Sequence, residues 1–145
     1  MDTAISEARP GDLPEVLALL RDADLPLEGV AEHFGQFLVV RANERVVGAA
    51  GLELYGEAAL LRSVVVHSEW RGRRLGERVT EAALARARAK GIREVYLFTK
   101  TAAGFFPRFG FQPIPREAMN PAVKVSVQFQ TCCTANEVSM ALILG

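Results

Sequence analysis

The residues with the most legible chemistry lie in the stretch Ser63-Val64-Val65-Val66-His67-Ser68-Glu69-Trp70-Arg71-Gly72-Arg73-Arg74-Leu75-Gly76-Glu77. An apolar, β-branched run leads into a short loop of glycines and arginines, and the loop opens into a run of strong helix formers. The first N–H groups of a helix have no intrahelical partner, and the peptide dipoles place partial positive charge there. A phosphate seated at that point receives both. Gly72 and Gly76 let the backbone approach the oxygens, while Arg71, Arg73, Arg74 and Arg78 add attraction and donors. The plainer account is an arginine-decorated helix start facing solvent. The segment is neither a P-loop, since no Gly-Lys-Ser/Thr follows, nor a dinucleotide fingerprint, since the G-x-G-x-x-G order is missing.

Elements on either side must hold this loop. The pattern predicts a short strand at Ala4–Ala8, then a turn and helix cap at Pro10-Gly11-Asp12 with Pro14 in the first helical turn. Leu13, Val16, Leu17 and Leu20 recur at helical spacing, and a second short helix is predicted over Leu27–Phe34. Gln36–Arg41 reads as a strand, Ala42-Asn43-Glu44 as a hairpin turn into Val46–Tyr55, and Gly56-Glu57 as a turn into the strand Ala59–His67. The clearest helix runs from about Leu75 to Lys90 and is closed by Gly91. Ile92–Phe98 reads as a strand, Ala102–Phe109 as one or two helical turns, and Val138–Leu144 as a last strand. The alternation of Val123, Val125, Val127 and Phe129 predicts a strand over Ala122–Gln130. Antiparallel hairpins followed by a β-α-β crossover predict a mixed sheet with helices packed against it.

Composition narrows the function. The 145 residues (50% hydrophobic, 23% charged) fit one globular domain, 1–145. Lys plus Arg and Asp plus Glu are both 17, so the overall charge points to no nucleic-acid or anionic-membrane partner. Met1-Asp2-Thr3-Ala4 lacks the basic-then-apolar pattern of a secretory leader, and no apolar run is long enough to span a bilayer. Cys132 and Cys133 are adjacent, which is neither a disulfide framework nor the spaced pairs of a zinc site. A reduced, cytoplasmic setting and no metal follow as expectations.

Trp70-Arg71-Gly72-Arg73-Arg74-Leu75-Gly76 resembles the Arg/Gln-x-x-Gly-x-Gly/Ala motif of the GCN5-related N-acetyltransferase (GNAT) superfamily. Ala103-Gly104-Phe105-Phe106-Pro107-Arg108-Phe109-Gly110-Phe111 resembles that family's short aromatic helix ending in Gly-Phe, and Ala8–Leu20 its usual opening. The resemblance implies an α/β (α+β) GNAT fold, a mixed, mostly antiparallel twisted sheet of six to seven strands flanked by helices. It implies acetyl-CoA as acyl donor. The pantetheine arm would pair with the backbone of Val64, Val65 and Val66 in a splayed gap between the Ser63–His67 and Ile92–Phe98 strands. The pyrophosphate would sit on the amides of Arg71, Gly72, Arg73, Arg74, Leu75, Gly76 and Glu77. A backbone N–H near Val65 would hold the thioester carbonyl and its oxyanion.

Three departures from the family pattern stand out. Arg74 occupies the motif's first glycine, tolerable if the backbone there is helical. Phe106 occupies the position of the Tyr that protonates the leaving thiolate in many relatives. Ala59-Leu60-Leu61-Arg62 lacks the Glu that relatives often carry early in the strand. A base is still required, because the attacking amine must be neutral. Glu53, His67 and Glu57 are the candidates. Glu53 faces opposite to Leu52 and Leu54, which suits either a base or a solvated residue on the outer sheet face. His67 suits either a base or a loop residue beside the cofactor. Arg62, expected to alternate with Val64 and Val66, could clamp a substrate carboxylate or pair with a nearby Glu.

Leu97–Phe106 with Pro115-Arg116-Glu117 resembles the acetyltransferase domain of N-acetylglutamate synthases. Leu54-Tyr55-Gly56, Ala59–Ser63 and Phe129 to Ala135 resemble small GNAT proteins of arsenic-resistance operons. Both imply a small amino-acid-like amine as acceptor, acetylated directly in a ternary complex. An acyl-CoA-binding module with little activity, and a peptide or protein N-acetyltransferase, stand as alternatives. The cysteines suit either arsenite binding or two plain thiols near the last strand. The apolar tail Val138–Leu144 permits a homodimer without requiring one.

Overall fold

The computed structural model describes residues 3–131 and 137–145; Cys132 and Cys133 lie outside the described residues. Seven strands form one sheet in the order β1-β2-β3-β4-β5-β7-β6. They are β1 (Thr3–Glu7), β2 (Phe37–Ala42), β3 (Arg45–Tyr55), β4 (Ala58–Val66), β5 (Glu94–Thr99), β6 (Gln112–Pro113) and β7 (Val138–Ile143). Neighbouring strands are antiparallel except β4 and β5, which are parallel. The helices are α1 (Leu13–Asp22), α2 (Leu75–Ala89) and the short α3 (Val127–Thr131). Among the described residues no helix is long and apolar enough to cross a membrane.

Both faces of the sheet are covered, which is why β2 reads as a continuous apolar run. Leu38, Val40 and Ala42 pack with Val79, Ala83 and Ala87 of α2. Phe37 and Val39 point the other way, to Val16, Leu19 and Leu20 of α1. The alanines of α2 bring its axis close to the strands, so its N-terminus is fixed beside the end of β4.

Two expected elements are not formed. Leu27–Phe34 is a chain of turns followed by a 3-10 turn at Phe34–Gln36, because Gly29 takes φ 83°, which no right-handed helix admits. Ala122–Gln130 is not a strand but a 3-10 segment, Pro121–Val125, running into α3. Asn120 starts it by accepting the Ala122 N–H at 2.9 Å. The segment buries Val123 and Ser126 while Val125 is 65% exposed, a spacing of three rather than two.

Asp12 has a larger task than capping. Its carboxylate makes no side-chain cap to α1; it accepts Arg9 N–H at 2.7 Å and both Arg41 guanidinium nitrogens, at 3.0 and 2.5 Å. The Arg41 hydrogen bond, against the upward push of burial, holds its carboxyl below the ordinary 3.8. The stabilisation is therefore complete above that value and lost as pH falls through the lowered folded value. Asp12→Asn should cost about 2 kcal/mol in neutral urea denaturation, with the gap from wild type closing in acid.

Candidate active site

β4 and β5 are paired over Ala58–Leu60 and Glu94–Tyr96, where the register ends. Beyond it the strands part around a cavity of about 670 Å³, walled by Leu61–Val66 on one side and Leu97–Thr99 on the other. Lys100, Thr101, Ala102, Phe106 and Arg71 line it further, as do Glu137 and the turn holding Ala23–Pro26 and Glu28. The edge of β4 facing the gap presents backbone donors and acceptors that need partners. A β-bulge shapes that edge. Gly51 pairs with Arg62 and Ala49 with Val65, so Ala50 alone opposes Ser63 and Val64. Ser63 absorbs the extra residue at φ 59°. The bulge also breaks the expected alternation: Val64 and Val66 pack toward the α2 side, whereas Arg62 turns to the opposite face, onto Glu53.

Past β4, a 3-10 turn at Ser68–Trp70 leads to the exposed run Arg71–Arg74. Gly72 (φ 82°) and Arg74 (φ 60°) are both left-handed, and Arg74 is the N-cap of α2. These two left-handed residues turn the chain into the start of the helix, whose first N–H groups lack intrahelical partners. The arginines are not equivalent. Arg73 stacks on Trp70 at 4.6 Å, Arg78 donates to Thr3 Oγ1 at 3.1 Å, and Arg71 reaches back to the Val66 carbonyl at 3.4 Å.

Beneath the cavity wall lies a buried polar hub. Glu53 and Arg62 meet at 2.7 Å with both side chains 1% exposed. The Tyr55 hydroxyl donates to Glu53 Oε1, Ser126 hydrogen-bonds the same carboxylate, and His33 Nε2 lies 3.8 Å away. Burial pushes the Glu53 carboxyl up, but hydrogen bonds with Ser126, Tyr55 and Arg62 outweigh it and hold it below the ordinary range. Burial and the bond to Glu53 push Tyr55 up to about 12.

A family model described as an acetyltransferase (GNAT) domain matches residues 33–113, from the turn before β2 through the aromatic segment. An uncharacterized N-acetyltransferase of Chlorobaculum tepidum is 31% identical over 79% of this chain and 72% of its own. The chain belongs to the GNAT acetyltransferase family. The amino-acid acetyltransferase of Salmonella typhimurium is 23% identical over 87% of this chain and 30% of its own. The same GNAT fold recurs in N-acetylglutamate synthase from Neisseria gonorrhoeae, solved with coenzyme A and N-acetyl-glutamate. Its TM-score is 0.85 at 19% identity, covering 100% of this chain and 36% of that one. The chain thus spans about a third of each of those two proteins.

Within this GNAT frame the departures take physical form. Arg74 is not helical: its left-handed backbone is the conformation glycine adopts without penalty and other residues adopt at about 1–2 kcal/mol. Arg74→Gly should therefore melt higher than Arg74→Ala, since both lose the guanidinium and alanine alone keeps the strain. Phe106 is buried against Phe105 and Phe111, with ring centroids 5.0 and 5.8 Å away, and brings no donor to the cavity it lines.

Glu53 is not a solvated residue of an outer face: it is fully buried, because Gly29 and His33 of the turns and Ser126 lie against it. Arg62 realises the pairing alternative, giving its nitrogens to Glu53, Ser63 Oγ at 3.2 Å and the Pro26 carbonyl at 3.3 Å. His67 spends Nδ1 on the Glu69 N–H at 3.1 Å, and Glu57 is exposed in the β3–β4 turn, at the opposite end of β4. None of Glu53, His67 and Glu57 lines the cavity, whereas Asp24, Glu28 and Glu137 do. Sequence patterns gave no signal for those three. The Glu53–Arg62 pair did have one: a two-residue turn at Gly56-Glu57 fixes a register in which Glu53 faces Leu60 and Arg62 stands two places on.

Proposed function

We propose that the chain transfers the acetyl group of acetyl-CoA to the primary amine of a small, amino-acid-like acceptor by direct transfer in a ternary complex. The parting of β4 from β5 carries this reading. It opens an unpaired strand edge into a cavity that is shared with the Ala23–Glu28 turn, so a pantetheine arm and a small amine can meet there. Val64–Val66 pair with the arm's amides, and the Arg71–Glu77 amides take the pyrophosphate at the start of α2. A bound thioester supplies an acyl carbon for attack; the protein supplies orientation, the bulge backbone and exclusion of water. The cavity carboxylates Asp24, Glu28 and Glu137 stand where a proton lost by the amine can be received. The coenzyme A and N-acetyl-glutamate complex of the Neisseria synthase supports the substrate class.

A second reading, an acyl-CoA-binding module with little turnover, draws on the donorless Phe106 and the sealed Glu53. Thiol release from acetyl-CoA across free amino acids, polyamines, aminoglycosides and peptides separates the two. Release that depends on an amino acid is the expected result. A thermal shift with acetyl-CoA but no amine-dependent release would favour the module, and no thermal shift would overturn both.

A further inference from the structure

We propose that Glu53 and Arg62 are positioning residues that hold the acceptor wall of the cavity, the Ala23–Glu28 turn, in place. The inference rests on the reading that the acceptor enters beside that turn. The segment from Ala23 to His33 is built of turns and lacks a ladder to fix it. It meets the buried pair at three points. The Pro26 carbonyl accepts from Arg62 at 3.3 Å, and His33 Nε2 lies 3.8 Å from Glu53. Gly29 passes directly over the pair: a Cβ added there would sit 2.8 Å from Arg62 Nη1 and 3.6 Å from Glu53 Oε2.

Arg62 is itself part of the cavity wall. Its guanidinium therefore joins β4, which borders the cofactor gap, to the turn that borders the acceptor. Glu53 fixes that guanidinium at 2.7 Å, and the Tyr55 hydroxyl and Ser126 occupy further lone pairs of the same carboxylate. With both side chains 1% exposed and the Glu53 carboxylate held by Arg62, Tyr55 and Ser126, the pair is unsuited to exchanging a proton with substrate. What it can do is set the distance between the two walls, on which reaction geometry depends.

Two full-length variants test this. In the double variant Glu53→Leu/Arg62→Met the pair is replaced by apolar side chains, which strands no buried charge and removes the tie to Pro26. Gly29→Ala leaves both charged residues in place and pushes the turn off them. With the most active amino acid of the acceptor panel, both should raise the acceptor KM about tenfold or more while the acetyl-CoA KM stays within about twofold. Amide hydrogen exchange over Ala23–His33 should quicken while that of α2 is unchanged. An unchanged acceptor KM in both variants, or unchanged exchange of that segment, would overturn the proposal. Should the wild type release no thiol with any amine, the acetyl-transfer reading fails instead, and exchange in the double variant, which leaves the left-handed Gly29 untouched, still decides whether the tether exists.

Discussion

Arg62→Met is expected to lower folding stability by about 3–5 kcal/mol, because it leaves the Glu53 carboxylate buried without its cation. Both side chains are 1% exposed, so the carboxylate loses its cation in a buried setting. The companion Glu53→Leu/Arg62→Met should recover most of that loss, since an apolar pair leaves no buried charge behind. The sign with pH follows from Glu53, whose carboxyl is held below its ordinary 4.5. In the wild type its contribution is present above that value and withdrawn as pH falls through the lowered folded value. In Arg62→Met the missing cation removes one of the downward pulls, so the stranded carboxyl takes up a proton at higher pH than in wild type. The deficit should be largest near neutrality and shrink in acid. Urea midpoints at about pH 7 and about pH 4 check this. An equal deficit at both would mean the loss is one of packing rather than charge.

How much of this was legible beforehand depended on whether the signal was local. α2 announced itself by composition and a stop glycine, and the β3–β4 hairpin by its turn and two apolar runs. The loop proposed for the pyrophosphate could be singled out because its residues are consecutive, from Arg71 to Glu77. The cavity was not, since it is assembled from β4, β5, the turn after α1 and Glu137, just before β7. Glu53 shows the limit of period-two reasoning. Its orientation opposite Leu52 and Leu54 was correct, but a strand pattern cannot say what covers the outer face. That cover comes from Gly29–His33 and from Ser126, distant in sequence and themselves misread. The Ala122–Gln130 valines alternate like a strand, yet the two buried positions, Val123 and Ser126, are three residues apart. Ser63 is a related case: one left-handed residue reversed which residues share a face beyond it. Arg74 was misjudged for want of a backbone angle, and a glycine requirement is visible in a sequence only where the glycine is kept.

Gly76 offers a test in which stability and binding should move in opposite directions. It lies in the first turn of α2, where a Cβ would meet the Phe105 ring at 3.6 Å and Val66 Cγ2 at 3.8 Å, ordinary contact distances. The protein alone therefore accepts a Cβ there, and Gly76→Ala should stabilise it by about 0.5–1 kcal/mol through helix propensity. Side chains on a helix tilt toward its N-terminus. A leucine at this position would lean over the Arg71–Arg74 loop, the ground proposed for the pyrophosphate. Gly76→Leu should weaken acetyl-CoA binding on the order of 100-fold, about 2.7 kcal/mol, without lowering the melting temperature of the unliganded protein. Isothermal titration with acetyl-CoA beside unliganded thermal melts reads both quantities. Full affinity in Gly76→Leu would place the pyrophosphate away from the α2 N-terminus. Loss of affinity together with loss of the unliganded fold would mean Phe105, not the cofactor, was displaced. Weakened binding on an equally stable protein is the one outcome that assigns those amides to phosphate, because it separates the loss of affinity from any displacement of Phe105 or Val66.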